Sequence, residues 1–191
     1  MIRIAVVGGI GSGKSYIAKL FGYPVFNADI EVAKLYRKNR KCYKKLKKAL
    51  PKYVRSFPVK KNKLSEAIID RQSNLKKIIK IIHPQIRRSL NNFEKKNKYK
   101  KFIVLDIPLL IENKINKKND IIVFIDSKKK EINKRLKKKY KGNLKIIKKL
   151  VKVQLPVELK RKKSNFIIKN NFKKNNVKNN VKNVLRYISN A

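Results

Sequence analysis

Eight residues near the N-terminus, Gly8-Gly9-Ile10-Gly11-Ser12-Gly13-Lys14-Ser15, leave few architectures open to this 191-residue chain. They fit the phosphate-binding pattern G-x-x-x-x-G-K-[S/T], and their flanks suit it. Ile2-Arg3-Ile4-Ala5-Val6-Val7 is a short, β-branched, mostly apolar run, as expected of a strand buried in a parallel sheet. After the loop, Ile17, Leu20 and Phe21 fall on one face of a helix. Strand, glycine loop and helix in that order make a polyphosphate cradle. Glycines let the backbone turn without a Cβ in the way. Successive N–H groups and the positive end of the helix then face the anion. In such a cradle Lys14 reaches the β and γ phosphates, Ser15 completes a Mg²⁺ shell and the Tyr16 N–H faces the α phosphate. The sequence therefore predicts binding of a nucleoside triphosphate.

The net charge of +43, from 54 Lys+Arg against 11 Asp+Glu, raises a competing idea, a nucleic-acid partner. The residue types argue against it. Forty-four of the cations are Lys and only 10 are Arg, alongside 25 Ile and 21 Asn. Lys, Ile and Asn fill 90 of the 191 positions, and all three have A/T-rich codons. Compositional drift explains them together, whereas selection for nucleic-acid recognition explains neither the isoleucines nor the shortage of arginine. No specific nucleic-acid partner is expected. The single cysteine, Cys42, excludes an internal disulfide and a cysteine-based metal site. No apolar stretch approaches 18 residues and the first strand runs straight into the loop, so neither a membrane span nor a signal peptide fits. A cytoplasmic protein, with a monomer the default for oligomeric state, is expected.

Along the chain, residues 23–29 read as a short second strand and 30–50 as one helix carrying Val32, Leu35, Tyr36, Tyr43 and Leu46. Pro51 and Pro58 bracket an irregular stretch. Helical spacing resumes from Ser65 to His83, and Pro84 is expected to start a further helix. Residues 102–106 and 121–126 are strands, each ending in Asp at the edge where open α/β sheets hold their ligands. Helices are expected over 128–139 and 144–153, a last strand over 165–168, and a tail with helical spacing of Val177, Val181, Val184, Leu185 and Ile188. Five strands alternating with helices predict a three-layer α/β domain with a five-stranded parallel sheet.

Further segments fall in a definite order: Phe26-Asn27-Ala28-Asp29, His83-Pro84, Asp106-Ile107-Pro108-Leu109-Leu110-Ile111-Glu112, Gln154-Leu155-Pro156 and Ile167-Ile168-Lys169-Asn170-Asn171. With the loop, they resemble the dephospho-CoA kinases along nearly the whole chain. That resemblance implies a single P-loop kinase domain over 1–191, with a helical acceptor-side region at about 30–92 and a lid at about 135–156. It also implies transfer of phosphate from ATP, with Mg²⁺, to the ribose 3′-hydroxyl of dephospho-CoA, the last step of coenzyme A synthesis.

Particular residues take roles from this resemblance. Asp29, beside the loop, is the candidate group for the accepting hydroxyl, or else a helix N-cap. Asp106 resembles the acid that supports Mg²⁺, with strand-end capping as the alternative. Glu112 either organises the acceptor pocket or pairs with a lysine, and Pro108, Leu109 and Leu110 shape the pocket wall. His83, the only histidine, is expected on the acceptor side, held by a structural hydrogen bond. Arg135 matches the lid arginine that faces base and phosphates, or else belongs to a solvated helix face. Asn170 and Asn171 match the loop that approaches adenine. Three positions depart from the family pattern: Asn27 replaces the first acid of D-A-D, Lys139 a second lid arginine, and Asn165 an Asp before the last strand. Other readings are a nucleoside monophosphate kinase using Arg37 and Arg40, a nucleic-acid-associated NTPase, and a nucleotide-binding regulator without turnover.

Overall fold

The computed structural model describes residues 1–139 and 144–190. Five strands, β1 (Ile2–Gly8), β2 (Val25–Asn27), β3 (Phe102–Asp106), β4 (Ile121–Asp126) and β5 (Phe166–Lys169), form one sheet in the order β2-β3-β1-β4-β5. Every pairing is parallel. β1 therefore lies in the middle, and the loop that leaves it opens between the carboxyl ends of β3 and β4, where the strand order reverses direction.

Alternation along the strands builds two cores. Ala5, Val7, Ile103, Leu105, Ile122 and Phe124 face a layer made by α2 (Ala28–Lys38), α3 (Arg40–Ala49), α4 (Lys61–Asp70) and α5 (Gln72–Lys96). Ile4, Val6, Phe102, Val104, Val123 and Ile125 face the other way, onto α1 (Lys14–Leu20) and α9 (Lys174–Asn190). The tail is a packed helix: Val177, Val181, Val184 and Ile188 are buried against the sheet despite the Asn and Lys around them. The remaining helices are α6 (Lys129–Lys139), α7 (Leu144–Lys152) and α8 (Val157–Lys162). No helix among the described residues is long and apolar enough to cross a membrane.

Several boundaries differ from those expected. The second strand is only Val25–Asn27, because Asn27 turns the chain into a helix: its Oδ1 accepts from the Ile30 N–H at 2.9 Å. Asn27 is thus the N-cap, and Asp29 sits in the first helical turn. The expected helix over 30–50 is two helices, broken at Asn39, whose side chain accepts from the Cys42 N–H at 2.8 Å and starts the second. Pro84 starts nothing; it lies inside the 25-residue α5. Leu75, Ile78, Ile82, Ile86 and Leu90 keep one continuous buried stripe through it, and that burial outweighs the hydrogen bond that proline forgoes. β5 starts one residue later than expected because Asn165 pairs with β4 partly through its side chain. Its N–H donates to the Ile122 carbonyl and its Oδ1 accepts from the Ile122 N–H, both at 2.8 Å. An Asp there would offer the same acceptor oxygen, so the departure from the family pattern at this position leaves the contact intact.

Candidate active site

The loop after β1 borders a cleft of about 560 Å³, lined in part by Ile10, Gly11, Gly13, Lys14, Ser15 and Tyr16. Its shape needs glycine most plainly at Gly13, the residue before α1. Gly13 has φ 91°, and a Cβ there would lie 2.5 Å from the Asn170 amide nitrogen. Lys14 folds back over the loop, donating from Nζ to the carbonyls of Gly9 at 2.7 Å and Gly8 at 3.3 Å. The Ser12 carbonyl is gripped twice, by Ser127 Oγ at 3.0 Å and by Asn170 Nδ2 at 2.8 Å.

Asp106 ends β3 directly opposite Asn27 on β2, so sheet register brings the two together. The Asn27 amide donates to the Asp106 carboxylate. Burial pushes the Asp106 carboxyl above the usual carboxylate range; a hydrogen bond from Ser15, the charge of Lys14 and the Asn27 amide pull it back, while Asp29 pushes it further up. Asp29, exposed to solvent, borders the same cleft as Lys14, Ser15 and Asp106. A polyphosphate cradle, a buried carboxylate beside it and an exposed carboxylate bordering the same cleft can bind a nucleotide, hold a hard cation and receive a proton.

Of the three residues expected to wall the acceptor pocket, Pro108 and Leu109 line the cleft, but Leu110 turns away into the core, 1% exposed. Glu112 does not line the cleft either. Its Oε1 lies 2.7 Å from Lys160 Nζ and accepts from the Leu155 N–H at 3.0 Å. Of the two readings of Glu112, its geometry is that of lysine pairing. His83 lies half-buried within α5 and is not among the residues lining the cleft. Among the described residues its side chain makes no hydrogen bond, and burial followed by the charge of Arg87 lowers its pKa below 6.5.

Arg135 and Lys138, on α6, also line the cleft. The Arg135 guanidinium stacks 4.7 Å from the centre of the Phe172 ring, a contact the sequence alone did not reveal. Phe172 has φ 60°, unusual for a bulky residue, and is held by its N–H donating to Asn170 Oδ1 at 2.9 Å. Asn170 therefore ties the loop after β5 to the phosphate loop with both ends of its amide. Asn171 points elsewhere, its Oδ1 accepting from the Lys173 N–H. The Lys139 side chain, Tyr140 and Gly142 lie outside the described residues.

A five-stranded parallel sheet with a phosphate loop on its central strand and acids at the neighbouring strand ends defines a P-loop phosphotransferase. Within that class the chain belongs to the dephospho-CoA kinase family, whose model matches residues 2–176. The dephospho-CoA kinase of Wolbachia pipientis wMel is 35% identical over 174 residues, covering 86% of this chain and 87% of its own. That of the Wolbachia from Brugia malayi is 34% identical over 172 residues, with the same coverage. A Thermus thermophilus protein of known crystal structure is 26% identical, with a TM-score of 0.76 over 97% of both chains. The dephospho-CoA kinase from Campylobacter jejuni shares the fold, with a TM-score of 0.62 and 24% identity over the full length of both.

Proposed function

We propose that the protein is a cytoplasmic kinase that transfers the γ-phosphoryl group of ATP to the ribose 3′-hydroxyl of dephospho-CoA, giving coenzyme A. The observation that carries this is the opening of the phosphate loop, Asp106 and Asp29 onto one cleft, in a chain of the dephospho-CoA kinase family. On this reading the whole chain works as one kinase domain, with residues of about 30–92 on the acceptor side and about 135–156 as lid.

The residues divide the work. Backbone N–H groups from Gly9 to Ser15, with Tyr16, hold the phosphates. Lys14 exchanges the loop carbonyls it now meets for the β and γ phosphate oxygens, where its charge counts most in the transition state. Asp29 accepts the proton of the 3′-hydroxyl as that oxygen bonds to the γ phosphorus and the bond to the β-phosphate oxygen breaks, releasing ADP. Arg135 and Asn170 secure the nucleotide side, and Asn171, turned to Lys173, helps shape the loop that carries Asn170. Pro108 and Leu109 give the acceptor an apolar wall.

Ser15 and Asp106 suit Mg²⁺: both offer hard oxygen donors, and the buried Asp106 carboxylate beside Ser15 has only neutral donors and Lys14 to offset its charge. Bound there with ATP, the ion would neutralise charge on the β and γ phosphates.

Steady-state ADP release, measured across dephospho-CoA, nucleoside monophosphates and DNA, tests the proposal. Turnover with dephospho-CoA, unaffected by DNA at physiological salt, is the expected result. A preference for a nucleoside monophosphate, or ATP hydrolysis stimulated by DNA, would overturn it.

A further inference from the structure

Lys160 and Arg3 are the two buried cations among the described residues, and Lys160 is only 1% exposed. It lies on α8, yet it reaches across two other segments. Its Nζ is 2.7 Å from Glu112 Oε1, in the segment after β3, and donates to Gln154 Oε1 at 3.2 Å, just before α8. Glu112 also receives the Leu155 N–H. A lysine this deep persists only when paired, and here its pairing leaves it no access to phosphate. Its surroundings suggest a different task.

Gln154 is the member of this cluster that borders the cleft, with Asp29, Pro108 and Leu109. A glutamine amide has two unlike ends: Oε1 only accepts and Nε2 only donates. A charged lysine has no lone pair, so only Oε1 can meet Lys160 Nζ, and the contact fixes which way the amide faces. Both Nε2 hydrogens are thereby left over, with no acceptor among the described residues. A donor held in one orientation at the wall of a substrate cleft is a recognition element.

We propose that Gln154 binds the acceptor substrate, donating from Nε2 to a phosphate or carbonyl oxygen, and that the Lys160–Glu112 pair is the positioning device that aims it. This rests on reading the cleft as the acceptor site of a dephospho-CoA kinase. Gln154→Glu provides the sharpest test. It keeps the size of the side chain and the contact with Lys160 but removes both donors.

The KM for dephospho-CoA should rise on the order of tenfold, the scale of a lost hydrogen bond leaving an unmatched polar atom. The KM for ATP should stay within about twofold, because the nucleotide side of the cleft is untouched. The melting temperature should hold or rise. Calorimetric titration of dephospho-CoA into the same variants reads acceptor binding without turnover. Absence of turnover in the unaltered protein would refute the assigned reaction, while unchanged acceptor affinity in Gln154→Glu would refute the role of Gln154. Equal increases in both KM values would refute it as well.

Lys160→Met should raise the acceptor KM in the natural background and add nothing in the Gln154→Ala background; a purely structural lysine would add the same increment in both. Gln154→Ala and Gln154→Glu carry the test alone if Lys160→Met fails to fold. With adenosine 5′-monophosphate as a truncated ligand, a retained effect of Gln154→Glu locates the contact on the nucleotide half. A lost effect locates it on the pantetheine arm, and both outcomes support the proposal.

Discussion

Replacing Asp29 by Asn should separate the base role proposed for Asp29 from folding, because the structure gives the cap of α2 to a different residue. The cap of α2 is Asn27, whose Oδ1 accepts the Ile30 N–H, so an amide at position 29 leaves the helix start intact. What the substitution removes is one negative charge from the first turn of α2, worth about 0.3 to 1 kcal/mol near a helix N-terminus. Position 29 is exposed, which puts the cost at the lower end of that range. In a chain of this size the melting temperature should fall by no more than about 3 °C.

The catalytic cost should be much larger. An amide cannot take the hydroxyl proton, and loss of a general base lowers kcat by about a hundredfold, or about 2.7 kcal/mol of barrier. A second signature comes from Asp106, whose carboxyl is pushed up in part by the charge of Asp29. Removing that charge should move Asp106 down towards the ordinary range, a shift readable by carbon-detected NMR of the carboxyl. Coupled ADP release with saturating ATP and dephospho-CoA, with calorimetry on the same samples, measures both effects. A kcat within about threefold of the unaltered protein, with a normal melting temperature, would refute the assignment of Asp29 as base.

Lys14→Ala should abolish phosphoryl transfer and leave the fold standing, since the Lys14 ammonium is held by loop carbonyls and the side chain is not one of the buried core; activity within about tenfold of normal would sink the loop assignment. Asn170→Ala removes one of the two grips on the Ser12 carbonyl and the acceptor for the Phe172 N–H, so the KM for ATP should rise more than that for dephospho-CoA, as steady-state kinetics would show. His83 has a folded pKa below 6.5 because of burial and Arg87. Between that value and 6.5 the unfolded chain binds a proton the folded chain does not. Stability contributed by neutral His83 is therefore present above 6.5 and lost as pH falls through the window. Urea titrations from pH 5 to 7.5 should show that slope, and His83→Gln should flatten it.

The sheet was legible because its strands are buried on both faces, so runs such as Phe102–Asp106 and Ile121–Asp126 carry an unbroken apolar signal. The phosphate loop and both cleft aspartates were legible because their chemistry is local, fixed by strand ends and a motif. What stayed hidden depends on contacts between distant segments. Nothing in the lysine-rich stretch around Asn39 distinguishes a continuous helix from two capped ones, since Leu35, Tyr36 and Leu46 suit both. Pro84 reads as a helix start until the stripe from Leu75 to Leu90 is seen to continue across it. α8 is six residues long, too short for periodicity to register. The partners of Glu112 and the stack of Phe172 on Arg135 join residues tens of positions apart, and no spacing rule reaches that far.

Asn27 shows how a neutral amide can stand where the family pattern has an acid. The family pattern puts an acid there, and sheet register would set it against the buried carboxylate of Asp106. Two carboxylates so placed repel unless a proton or a cation lies between them. The amide removes that conflict, since Nδ2 donates to Asp106 while Oδ1 caps α2, so one neutral side chain serves both neighbours. The consequence falls on Asp29. With position 27 neutral and Asp106 buried and committed to Asn27 and Ser15, Asp29 is left as the exposed carboxylate on the described wall of the cleft. On the proposed mechanism, a chain so rich in Asn and Lys keeps its base after losing the first acid, provided the second remains. The proposed base then has a single address.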